Sequence, residues 1–247
     1  MRGLTKILLG VLVAVLAAGV AGADSYYPLD VGSTWHYANA NGQAEDASIT
    51  GSFELLGVST VVRHVEIYNT RIPPQVVENF WTLTSDGDLL LHGAHNITDT
   101  LELAYWPPVV MIDAPLWLGK SWVTEEIHVY RFDGSPGPFS PFDYPLAVHF
   151  EGEVAVPAGS FQCFGVGFDL STPVLRLDCG RAYDIYGRRL SAGAACRSGD
   201  ATEWYAEGVG LVQNSYLTDP GELMKLVSWE PTAVEATSWG RVKALFR

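Results

Sequence analysis

The chain has 247 residues, 48% of them apolar, with 15 Lys and Arg against 28 Asp and Glu for a formal charge of −13. The acidic balance argues against general nucleic-acid binding, and the apolar content excludes a disordered chain. Three cysteines without a C-x-x-C pair give no support for a zinc or thioredoxin-like site.

Arg2 and Lys6 form a short basic stretch ahead of Ile7 to Val20, which is apolar apart from Gly10 and Gly19. Ala21-Gly22-Ala23 then supplies a small-x-small pattern, which predicts an export signal over residues 1–23 and cleavage before Asp24. Ile7 to Ala23 is shorter than the ~20 apolar residues of a spanning helix. No cysteine stands near the cleavage point to carry a lipid. Removing 23 of 247 residues leaves 224, with 13 Lys and Arg (15 less Arg2 and Lys6) against 28 Asp and Glu, a formal −15. The expected product is an exported bacterial protein, periplasmic or extracellular, that does not span the membrane after signal cleavage.

Pro28-Leu29-Asp30-Val31-Gly32-Ser33-Thr34-Trp35 leads into the first strand-like run and returns as Pro115-Leu116-Trp117-Leu118-Gly119-Lys120-Ser121-Trp122. Period-two alternation follows, with Val61, Arg63, Val65 and Ile67 opposing Val62, His64, Glu66 and Tyr68. Phe80-Trp81-Thr82-Leu83 and Leu89-Leu90-Leu91 flank the turn Ser85-Asp86-Gly87-Asp88. His92-Gly93-Ala94-His95 reads as an exposed loop, because imidazoles three apart align only on a helix and no third metal ligand is near. Asn96-Ile97-Thr98 is a glycosylation sequon with no role expected in a bacterial protein. Pro107-Pro108 mark a boundary at 107–114 between a first β half, 24–112, and a second, 113–230.

In the second half, Val123, Ile127 and Val129 alternate with Trp122, His128, Tyr130 and Phe132, which predicts a strand covered on both faces. Glu125 and Glu126 are adjacent on that strand, so they point to opposite faces and cannot oppose each other as glycosidase carboxylates do. Phe132 to Pro145 is a Pro-, Gly- and Phe-rich insertion. Val148, Phe150, Gly152, Val154 and Val156 form an apolar face opposite Ala147, His149, Glu151, Glu153 and Ala155. Pro157-Ala158-Gly159 then turns into Phe161-Gln162-Cys163, where Cys163 reads as a buried free thiol. Cys179 and Cys196 flank a polar Gly-rich insertion and are the expected disulfide, with Cys163–Cys179 as the other pairing. Closing the 179–196 loop would constrain the unfolded chain by about 3 kcal/mol.

That insertion gathers Arg176, Arg181, Arg188, Arg189 and Arg197 in an otherwise acidic chain. Arg181, Arg188 and Arg189 are candidate anion-binding residues for phosphate or carboxylate groups. The simpler reading pairs the arginines with Asp178, Asp184 and Asp200. Glu203-Trp204-Tyr205-Ala206 echoes Phe80-Trp81 of the first half, and Asp219-Pro220-Gly221 is a further turn. Residues 231–247 form a tail that is basic and amphipathic from Thr237. Trp35, Trp122 and Trp204 are expected in the core with the indole N–H on a nearby carbonyl. No G-x-S-x-G, H-E-x-x-H or P-loop occurs, so no catalytic residue, cofactor or metal ligand is assigned.

The P-L-x-aliphatic-G-x-[ST]-W phrase, Val154-Ala155-Val156-Pro157-Ala158-Gly159-Ser160-Phe161-Gln162-Cys163, and Trp204-Tyr205-Ala206-Glu207-Gly208-Val209-Gly210-Leu211-Val212 form an ordered set. That set resembles a group of secreted and lipoprotein-type bacterial envelope proteins across residues 115–212, with the first phrase repeated at 28–35. The resemblance implies an antiparallel, strongly curved sheet or half-barrel similar to the outer-membrane lipoprotein carriers, and it implies no catalytic residues. The expected fold is therefore all-β, with two pseudo-repeated halves. The expected role is a non-catalytic envelope module that binds a lipid, a peptide or an envelope protein on a concave sheet. A carbohydrate-binding or carbohydrate-active protein using exposed aromatics, and a purely structural surface protein, are the alternatives.

Overall fold

Among the described residues twelve strands follow one another: β1 (Thr34–Ala38), β2 (Ala44–Leu55), β3 (Val58–Tyr68), β4 (Gln75–Leu83), β5 (Leu89–Asn96), β6 (Leu101–Ile112), β7 (Ser121–Tyr130), β8 (Phe142–Val156), β9 (Gly159–Phe168), β10 (Thr202–Ala206), β11 (Gly210–Asn214) and β12 (Met224–Glu230). The structure is a computed structural model, and it describes residues 25–68, 73–139, 141–168, 184–188, 202–215 and 223–232. Each strand pairs antiparallel with its neighbours in sequence, and β1 also pairs with β12, so the sheet closes into a barrel. The strongly curved antiparallel sheet expected from the sequence is thus completed into a ring, which removes both sheet edges.

The alternation runs apolar-in and polar-out. On β2, Ala47 and Ile49 are buried while Asp46 and Thr50 are exposed. Trp35 and Tyr37 of β1 are buried and donate beyond β12 to the β10–β11 hairpin, Trp35 Nε1 to Val209 O at 2.7 Å and Tyr37 OH to Leu211 O at 2.9 Å. Trp122 is half-buried and donates to Val110 O at 2.8 Å; Trp204 is half-buried and packs on the core.

The repeated phrase builds the same turn twice. Gly32 (φ +98°) and Gly119 (φ +86°) occupy the left-handed region that a side chain would strain. Ser33 N donates to Asp30 O and Lys120 N to Trp117 O, each at 3.1 Å. Gly32 N reaches Ile49 O at 2.8 Å, and Gly119 N reaches Val148 O at 2.9 Å. Trp35 then lies opposite Ala47, and Trp122 opposite Leu146. Both long hairpins are bulged one step later, between Ile49 and Gly51 and between Val148 and Phe150. The entry turn, the hairpin that follows and its bulge therefore recur in β1–β3 and β7–β9 of a single sheet. The register shifts opposite Phe80/Trp81, where β5 carries the extra His92, and opposite Trp204/Tyr205, where β11 carries the extra Val212, correspond, so Tyr205, not Trp204, is the counterpart of Trp81, and Glu203 the counterpart of Asn79.

Several local expectations change. Pro107 and Pro108 lie inside β6, in a bulge between the pairs Gly93–Ala104 and Leu91–Val109. Residues there owe no N–H to the ladder, so proline fits. His92 to His95 form part of β5 rather than a loop. Gly93 permits this, since a Cβ there would lie 2.3 Å from Leu103 O. The strand β7 is covered on one face only: Thr124, Ile127 and Val129 are buried while Val123 and His128 are exposed. Its bulge between Thr124 and Ile127 resets the alternation, so Glu125 and Glu126 both face solvent, with Glu126 at φ +49°. Phe150 likewise follows a bulge and is 36% exposed rather than part of a continuous apolar face. Phe132, from the insertion, packs outside the barrel against Phe53 and Phe80.

Cys163 on β9 is buried and free, and burial pushes its thiol up to about 11. It is expected to resist iodoacetamide at pH 8 until the barrel is unfolded. Peptide mapping that found Cys163 alkylated in the native protein would contradict this placement. Cys179 and Cys196 lie outside the described residues, as do the expected leader, residues 1–23, and the tail from residue 233.

Candidate functional site

Alternation puts side chains of one face inside the barrel whether they are apolar or not. On β3 the inward series contains Arg63 next to Val65, and on β2 it contains Glu45 next to Ala47. Arg63 Nη2 donates to Glu45 Oε1 at 2.8 Å, with both side chains over nine-tenths buried. Asn79 of β4 stands opposite Arg63 in register, with its Oδ1 3.5 Å from Arg63 Nη1. Across the barrel, Glu203 of β10 receives hydrogen bonds from the hydroxyls of Tyr186 and Tyr205.

A twelve-strand ring is wider than the eight-strand barrels that side chains alone can fill. Part of the filling here is a turn of the chain itself, Asp184 to Arg188, from the connection between β9 and β10. Gly187 N donates to Asp184 O at 3.0 Å, and Asp184 Oδ1 accepts from the backbone N–H groups of Tyr186 and Arg188 at 3.0 and 2.9 Å. Gly187 has φ +75°, and a Cβ on it would come within 3.1 Å of Ala94 Cβ.

The wall grips this turn by its backbone. Tyr105 OH donates to Ile185 O at 2.7 Å, Asn79 Nδ2 to Tyr186 O at 3.0 Å, and Asn96 Nδ2 to Gly187 O at 2.9 Å. The Tyr186 ring packs 6.1 Å from the Trp81 ring, and its hydroxyl lies 2.9 Å from both Glu203 oxygens. Arg188 Nε donates to Asp184 Oδ2 at 2.6 Å, while Nη1 lies 3.8 Å from Glu45 Oε2. A void of about 20 Å³ remains among Tyr27, Glu45, Arg63, Trp81 and Glu203, room for one water. Arg63 Nε and Trp81 Nε1 have no hydrogen-bond partner among the described residues.

Burial dominates the electrostatics. It raises the Glu203 carboxyl above the usual range, against the two tyrosine hydroxyls that favour its anion. Burial also raises Asp184, against Arg188. For Arg63, burial opposes the charge, but Tyr27 and Glu45 outweigh it and the guanidinium stays ionised. Burial pushes Tyr27 up to about 12. A carboxyl raised in the folded state binds its proton more tightly there than in the unfolded chain. The barrel should therefore lose stability as pH rises from the ordinary Glu range through the raised folded value. Glu203→Gln is expected to flatten that decline, as read by urea unfolding at pH 5 and pH 8; an unchanged slope would mean that Glu203 is not its source.

Of the predicted anion-binding residues, Arg188 lies inside the barrel with its guanidinium beside Asp184 and Glu45, the first being one of the partners weighed from sequence. Arg181 and Arg189 lie outside the described residues. His92 and His95 have separate partners: His92 Nε2 is 2.8 Å from Thr82 Oγ1, and His95 lies beside Glu78 at 3.9 Å. Among the described residues no group of three His, Cys, Asp or Glu side chains is placed to hold a metal. Asn96, the sequon asparagine, is fully buried with its amide bound to Gly187 O. Glu45, Arg63, Asn79, Tyr186 and Glu203 were not singled out from sequence, although Arg63 breaks an otherwise aliphatic run.

The class defined by these observations is a closed, twelve-stranded antiparallel meander barrel, counted over the described residues, with a polar chamber occupied by its own Asp184–Arg188 turn. No family model and no curated protein matches the chain. Among solved structures it is similar to a candidate lipoprotein of Parabacteroides distasonis, at 13% identity and TM-score 0.35 over 84% of this chain and 99% of that one. It is also similar to a candidate exported protein with a YmcC-like fold from Bacteroides fragilis, at 13% identity and TM-score 0.38 over 85% and 100%.

Proposed function

We propose that this is an exported, non-catalytic binding or assembly protein of the bacterial envelope whose ligand site is the polar chamber of the barrel. Export rests on the leader pattern of residues 1–23. Action in water rests on the outer face, where Asp143, His149, Glu151 and Glu153 of β8 are exposed, the inverse of the apolar-out pattern of membrane barrels.

The observation that carries the reading is the set of wall donors on three successive carbonyls, those of Ile185, Tyr186 and Gly187. It favours a peptidic over a lipidic ligand. An acyl chain in the same place would take the Tyr186 carbonyl from Asn79 Nδ2 and the Gly187 carbonyl from Asn96 Nδ2, at about 1–3 kcal/mol for each buried hydrogen bond lost.

The test is a thermal shift of the full chain carrying Gly187→Ala, which weakens the hold on its own turn. A mixed-sequence pentapeptide library is expected to raise its melting temperature, and phosphatidylethanolamine vesicles are not. A shift with vesicles alone would turn the assignment to lipid, and no shift with either would remove the chamber as a binding site. A second reading, glycan binding, draws on the exposed rings of Trp106 (59%) and Trp117 (52%), and glycan-array binding lost in Trp106→Ala would favour it.

A further inference from the structure

We infer that the Asp184–Arg188 turn stands in for the ligand: the chamber takes, from another chain, a tight peptide turn bearing a phenolic side chain, then glycine, then arginine. This rests on the chamber being a binding site. Each position of the turn meets a matched part of the wall. The phenol at 186 meets Glu203, which Tyr205 also contacts, and its ring lies against Trp81. Glycine at 187 is demanded twice, by its positive φ and by Ala94, 3.1 Å from where a Cβ would sit. Arginine at 188 faces Glu45, itself held by Arg63. The backbone is read by Tyr105, Asn79 and Asn96, from three neighbouring strands. None of these contacts requires the turn to be joined covalently to the barrel.

The two-fold repetition separates recognition from simple filling. The register of the second half puts Tyr144 where the first half has Glu45, and Val166 where it has Arg63. Both Tyr144 and Val166 are buried, so the sheet closes without an ion pair at these positions. An interior ion pair is a poor way to stabilise a core, because desolvation offsets its attraction. The Glu45–Arg63 pair therefore has no counterpart in the second half, whose charged contact with the turn is Glu203, as expected of a wall that selects its occupant by charge and hydrogen bonding. The chain's own turn then acts as an intramolecular competitor, lowering apparent affinity in proportion to the fraction of barrels it leaves accessible.

The test uses the full chain carrying Tyr186→Ala and Arg188→Ala, titrated with the acetylated, amidated peptide Asp-Ile-Tyr-Gly-Arg and followed by tryptophan fluorescence. The expected result is saturable binding at least about ten-fold tighter than to the unaltered protein, since the competitor is weakened. The control peptide Asp-Ile-Ala-Ala-Ala is expected not to bind, and adding Glu45→Gln should weaken the cognate peptide. Should the double variant not fold by near-UV circular dichroism, Arg188→Gln alone carries the same titration. A folded variant that does not bind the Tyr-Gly-Arg peptide overturns the inference. If the pentapeptide library still stabilises the Gly187→Ala protein, the chamber reading survives that loss; if the library fails too, both fall.

Discussion

Arg63→Met is expected to destabilise the barrel by about 3–5 kcal/mol, the usual cost of stranding one partner of a buried ion pair. Glu45 would remain 4% exposed, its nearest remaining cation being Arg188 at 3.8 Å. The added change Glu45→Met removes the stranded charge, and the double variant should recover most of the loss, because two well-packed apolar side chains can replace a buried pair at little net cost. Urea unfolding at pH 7 measures both. A single variant within about 1 kcal/mol of the parent would mean that water reaches the pair, as for exposed ion pairs.

Trp35→Ala should cost about 3–5 kcal/mol, the range for removing a fully buried tryptophan. It leaves a cavity between β1 and the β10–β11 turn and strips Val209 O of its indole donor. Trp122→Ala removes the equivalent residue of the second copy, in the same register and also bonded to a carbonyl. Trp122 is only half-buried, so its loss should be distinctly smaller. Equal losses would show that the two halves carry equal loads in spite of their different burial.

The fold was legible where the alternation was long and clean. The series Val61 to Tyr68 and the turn at Pro157-Ala158-Gly159 read directly as strand and hairpin. It failed at bulges, since a one- or two-residue insertion in a strand leaves no mark in composition yet resets which face each later residue occupies. That explains Val123, Glu125 and Glu126. The His92–His95 segment failed for a related reason: Gly93 suggested a loop, whereas it serves a close approach of β5 to the Leu103 carbonyl. Closure of the ring was not legible, because it depends on β1 meeting β12 across the whole chain.

The chamber was legible in part. The cysteine-flanked insertion stood out as the largest difference between the halves, and its 184–188 turn lies in the chamber. Its arginines suggested an outward surface, and Arg188 instead points at buried carboxylates. The wall residues come from the consecutive strands β2–β5 and from the distant β10, one or two per strand at wide spacing, so only register and closure bring Glu45, Arg63, Asn79, Asn96 and Glu203 together.

Closure of the sheet by β1 and β12 has a kinetic consequence. Thr34 pairs with Glu230, and Ser33 meets Thr232, so the seam forms only after nearly the entire chain is available. A nascent chain must therefore hold β1 unpaired on one side while eleven strands assemble. Long-range strand pairing of this kind is slow. Until the seam forms, β1 and β11 are open templates for strands of other molecules, and a chain lacking β12 would keep both edges and join end to end.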